Sequence, residues 1–187
     1  MDVHHSQAMT DNTETYATDF YAWCLSTADL VRAGQWEAID PEVLAEELES
    51  LGKSQKRELE NRLDMLVMHL LKWAYQAPKR ETGHSWYSTI HEQRRQIARL
   101  LRDNPSLQTP LSTLLPTIYQ DARKEAIQEM GIVGPLEVRA SAQAVFRQDP
   151  SQLDLPDLLR WSTLPSTCPW TIEQVLNTDF WPDAPVG

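Results

Sequence analysis

His69 and His91 are the residues best suited to chemistry in the interior of this chain. His69 stands about seven residues before the end of one expected helix, and His91 about six after the start of the next. At 1.5 Å per residue, both lie roughly 10 Å from the turn between those helices. Facing helices that bring histidine and carboxylate to one level can hold a metal ion or move a proton. Asp64, Glu92, Asp121 and Glu125 are the carboxylates within reach, and Asp64 and Asp121 complete the candidate metal set with the two histidines. Asp64 sits about 140° round the helix from His69, a poor angle for joint ligation. Glu46, Glu47 and Glu49 are at least about 30 Å away on an unbroken helix. Neither histidine stands in a Glu-x-x-His spacing. The simpler reading is therefore a pair of histidines hydrogen-bonded in or beside a core, and no cofactor is expected. LGKS at 51–54 ends like a phosphate-binding loop, but Glu47 occupies the place of the first glycine that loop requires.

Other residues suit recognition better than catalysis. Arg94, Arg95, Arg99 and Arg102 share a short stretch. They can meet a phosphate or an acidic partner, or form a solvated face paired with Glu58, Glu60 and Asp64. Aromatic residues do not interleave with them, which argues against single-stranded nucleic acid. Asp40, Glu42, Glu46, Glu47 and Glu49 form an acidic cluster. It offers a contact for a cation or a basic protein, or simply complements a helix dipole. Trp161, Trp170 and Trp181 lie late in the chain and can anchor a partner or dock the tail, and docking is the expectation. Arg94, Arg95, Arg99, Trp170 and Trp181 are thus the candidate partner-binding residues.

The elements that position these residues are helical throughout. Residues 41–76 have no proline after Pro41 and are rich in Leu, Glu, Lys, Arg, Gln, Met and Ala, which predicts one long central helix capped by Asp40. From Leu63 to Trp73 it is apolar almost all round, as a helix buried on several sides must be. A preceding helix starts at Asp19, with Gly34 as its C′ residue and Trp36 and Ile39 closing the bundle end. A helix with Ser85 as its N-cap follows the turn at Pro78 and Gly83. A fourth runs over 110–131, with Pro116 set to kink or split it. The expected fold is all-α, a four-helix core around the 41–76 helix with a C-terminal helical appendage. The expected division is a disordered leader over 1–15, a bundle over 16–131, and an insertion plus docked tail over 132–187.

Seventeen Lys and Arg against 27 Asp and Glu leave a net charge of −10 and a pI near 4.9. That balance opposes nucleic acid and anionic membranes as partners. No run of apolar residues is long enough to span a bilayer. Two isolated cysteines, Cys24 and Cys168, suit reduced thiols in a bacterial cytoplasm.

Several stretches taken in order, DFYAWCLSTADLVRAGQW, EELESLGKSQKRELENRL, LVMHLLKW, SWYSTIHEQRRQI, YQDARKEAIQEMG and CPWTIEQVLNTDFWP, carry a resemblance. Together they resemble the bacterial family catalogued as domain of unknown function number twenty-nine. The resemblance implies an all-helical cytoplasmic protein and no particular activity. It also implies that residues 132–165 are an insertion relative to other members. The expected function is a non-enzymatic protein-binding or regulatory module with a protein partner, a homodimer being left open. The alternative is a metal-dependent or hydrolytic enzyme centred on His69 and His91.

Overall fold

The structure is a computed structural model, and it describes residue 12 and residues 14–76, 84–130 and 164–182. Its elements are α1 (Phe20–Arg32), α2 (Pro41–Tyr75), α3 (His84–Asp103), α4 (Leu111–Met130) and the short α5 (Ile172–Leu176). Residues 14–18 add a helical turn before α1, and 3-10 turns fill Trp36–Ala38 and Pro105–Gln108. No strand occurs among the described residues. The all-α fold with a long central helix and a helical appendage is thus the observed one. The expected leader over 1–15 falls almost wholly outside the described residues, as do the turn at 77–83, the 132–163 part of the expected insertion, and Trp161.

The chain forms two compact units, Met1–Ser54 and Gln55–Gly187. In the first, the Asp19 side chain caps α1 by accepting from the Ala22 N–H at 3.0 Å. Gly34 takes φ +68°, the left-handed conformation that ends a helix cheaply only in glycine. The helix ends there, as the amides of Ala33, Gly34 and Gln35 turn back onto α1 carbonyls. Trp23 is buried, and its indole N–H donates to Asn12 Oδ1 at 2.9 Å. The Asn12 amide in turn donates to Thr27 Oγ1 at 3.1 Å. The Tyr16 hydroxyl donates to Glu47 on α2 at 2.6 Å. Ile39 is buried as expected, but Trp36 is not, so the bundle end is closed by one of the two.

The core lies in the second unit. Leu59, Leu63, Leu66, Val67, Leu70 and Leu71 of α2 meet Ile90 and Ile97 of α3 and Leu111, Leu115, Ile118, Tyr119, Ala122 and Ala126 of α4. The two alanines keep the α4 face small where it enters the core. Pro116 neither splits α4 nor ends it; it sits on the exposed side of the helix, so the Ser112 carbonyl that loses its donor lies on the exposed side as well. Leu164, Ile172 and Val175 of the tail join the same core, with Cys168, Trp170, Leu176 and Trp181 packed against it. α3 begins at His84, so Ser85 lies inside the helix and not at its N-cap.

Candidate functional site

Arg94 organises the tail side of the second unit. Its stretch of sequence suggests a solvated arginine face, yet this side chain is 2% exposed. Its Nε donates to the Val175 carbonyl at 2.9 Å, Nη2 to Phe180 at 2.8 Å and Nη1 to Thr178 at 3.5 Å. One planar fork thus takes carbonyls at and after the end of α5, where the helix presents its unpaired acceptors. Burial pulls the guanidinium below its ordinary pKa, though an arginine stays charged. Trp181 lies under it, with the guanidinium carbon 5.4 Å from the ring centre. The indole also stacks on Tyr87 at 4.9 Å with an 8° interplanar angle, and meets Trp73 at 4.8 Å and His91 at 5.3 Å. Three further hydrogen-bonding side chains on α4 hold the start of the tail: Tyr119 to Pro165 at 2.7 Å, Gln120 to Ser166 at 2.8 Å and Arg123 to Leu164 at 3.1 Å.

His91 sits edge-on to Tyr87, with ring centres 4.4 Å apart, and its Nε2 is buried without a hydrogen-bond partner among the described residues. His69 has other surroundings. Its Nδ1 lies 2.8 Å from the Met65 carbonyl one turn back. That contact assigns the proton to Nδ1, since a carbonyl can only accept. Burial pushes the His69 pKa down, and Lys72 adds to this, while the Met65 bond and Glu129 oppose it. Lys72 is itself buried, paired with Glu129 of α4 and placed over the Trp86 ring.

Asp64 and Asp121 do come into each other's field, together with Glu125. Burial first, then the charges of Glu125 and Asp121, push Asp64 up to about 6. Its Oδ1 is buried and unpartnered among the described residues. Asp121 has a surface ion pair with Lys124 at 2.8 Å. Among the described residues no group of three or more His, Cys, Asp or Glu is placed to hold a metal ion. Arg95 pairs with Glu92 on the surface at 2.6 Å, and Arg99 is exposed. Trp170 is half-buried beside Phe180. Cys168 is pushed up by burial, which keeps it a thiol and a weak nucleophile.

The first unit carries large apolar side chains at its surface, among them Trp36, expected to close the bundle end. Trp36, Leu48 and Leu51 are 61%, 61% and 62% exposed, and Phe20 and Leu25 of α1 are more than half exposed. Trp36, Ile39, Pro41, Leu44, Ala45 and Leu48 line an open groove of about 250 Å³. Leu44, Leu48 and Leu51 repeat at i, i+4 and i+7 on α2. The available signal was the density of carboxylates around these leucines, which marks a helix face that stays in water.

Among the described residues, fold and surface define a helical protein with a packed core in its second unit and an open apolar groove in its first. Its family is established by sequence: a family model described as domain of unknown function DUF29 matches residues 15–181, and the chain belongs to that family. No curated protein matches the chain, and no solved structure does.

Proposed function

We propose that this chain is a non-enzymatic protein-binding module that uses its N-terminal unit as the binding element. The observation that supports it is the open groove of Trp36, Leu44 and Leu48 with exposed Leu51 beside it. Large apolar side chains grouped on one face, with an aromatic among them, are the composition of an interface centre. The histidines favour the same reading, because His69 is held by the Met65 carbonyl while His91 has other neighbours, the Tyr87 and Trp181 rings. The setting that fits is a bacterial cytoplasm, where Cys24 and Cys168 remain free thiols. The test is affinity capture from native cells with the full chain and with Trp36→Ser/Leu48→Ser. At least one protein should be retained by the wild type and lost by the variant, and should bind again as a purified component. Identical retained sets would overturn the proposal.

A further inference from the structure

We infer that the groove on the N-terminal unit accepts an amphipathic helix with basic flanks, supplied by a different protein. The inference rests on the protein-binding reading and adds the chemistry of the partner. From Ala33 to Gly52 the chain has Glu37, Asp40, Glu42, Glu46, Glu47 and Glu49 and no Lys or Arg, a local charge of −6 within a chain of net −10. The groove-lining residues of α2, namely Pro41, Leu44, Ala45 and Leu48, form one stripe. At about 100° per residue, Glu42 and Glu49 fall about a quarter turn to one side of that stripe. Glu47 and Asp40 fall about a quarter turn to the other, and Glu46 lies at the back.

The carboxylates nearest the groove differ in what already holds them. Asp40 is engaged with the Glu42 and Val43 amides as the cap of α2, Glu47 accepts from Tyr16, and Glu49 meets Lys53 at 2.9 Å. Glu42 is exposed and has no ion pair among the described residues. The rim is therefore negative on both flanks of an apolar stripe.

That charge pattern selects among occupants. A second copy docking isologously would bring two surfaces of charge −6 together. The arginines of α3 offer no better self-contact, since Arg95, Ala98, Arg99 and Arg102 present a charged face with no large apolar anchor. Nucleic acid and anionic bilayers are repelled for the same reason. The stripe from Pro41 to Leu51 is about 15 Å long, three turns of helix. A partner helix with apolar anchors at i, i+3 or i+4 and i+7 matches that length, and Lys or Arg beside its stripe reaches the rim.

The experiment uses the full chain and fluorescein-labelled synthetic peptides of roughly 18 residues, long enough to form helix on binding. The first has a Leu stripe flanked by Lys, the second has Glu in place of Lys, and the third keeps the composition of the first with the Leu order scrambled. Anisotropy titrations at low and high salt should show binding of the first, and about tenfold weaker binding or none for the others. Trp36→Ser and Leu48→Ser, each at an exposed position and each checked for an unchanged melting curve, should weaken the first peptide about tenfold. Glu42→Gln, which removes the rim carboxylate that has no ion pair among the described residues, should reduce the salt dependence. Equal binding of the Lys and Glu peptides, indifference to both serine variants, or a chain that dimerises through Leu48 in sedimentation would overturn the inference. A native partner lost with Trp36→Ser/Leu48→Ser, alongside failure of the Lys peptide, would leave the protein-binding reading standing and remove the basic helix.

Discussion

At the scale of single residues, two side chains set the chemistry of the second unit in opposite ways. Asp64 is a carboxyl that its surroundings prefer neutral. Its folded pKa, about 6, lies above the free aspartate value. Between pH 4 and 6 the folded chain therefore keeps a proton that the unfolded chain has released, and stability attributable to Asp64 falls as pH rises through that window. Wild type measured against Asp64→Asn should lose about 1–2 kcal/mol between pH 4 and pH 7.5, as read from urea titrations at each pH. His69 works in the other direction. Its pKa is pushed below the free value, so its contribution is present at neutral pH and is lost as pH falls through the window beneath 6.5. Arg94 is a charge whose surroundings require it. Three carbonyls converge on its fork, and lysine cannot reproduce that planar geometry. Arg94→Lys should cost about 2–4 kcal/mol, and Arg94→Met should also lower the melting temperature, because the carbonyls remain buried without donors.

At the scale of elements, α2 is the helix most affected by composition alone. Its 35 residues contain one weak position, Gly52, where an added Cβ would meet no atom within 4 Å. Gly52→Ala should stabilise the chain by about 0.5–1 kcal/mol, measured by thermal or denaturant unfolding. Gly34→Ala should do the reverse, because φ +68° is strained for a residue with a Cβ. Much of the helical order was legible in the sequence for such local reasons. Asp40 and Pro41 mark the start of α2, Gly34 the end of α1, and the apolar run from Leu63 to Trp73 the buried stretch. Arg94 was not legible as a buried group, because its acceptors lie 81 to 86 residues later in the chain. Leu44, Leu48 and Leu51 were legible as an apolar stripe but not as an open one, since periodicity shows that a face wants burial and not what supplies it. His69 and His91 were legible as neighbours of the turn, while the rotation that gives them different surroundings depends on tertiary packing.

At the scale of the whole molecule, the two units differ in how much they bury. The described part of Met1–Ser54 buries Asn12, Trp23, Thr27 and Ile39, while Gln55–Gly187 holds the extended core. Local stability follows buried contact, so hydrogen exchange should find α1 amides opening well before those of Leu59 to Ala74 on α2. Protection equal in both would contradict that ordering. The tail has a consequence for how the protein is made. Met130 ends α4 and Trp181 fills the aromatic box, 181 − 130 = 51 residues later. At 5–20 residues per second, a ribosome needs about 3–10 s to supply that stretch. For most of that interval the nascent chain has α2, α3 and α4 in hand, but Arg94 has not met the carbonyls of Val175, Thr178 and Phe180. Until Val175 and Trp181 arrive, the core stays wet on one side, and the helices made first must wait for the tail to shed that water.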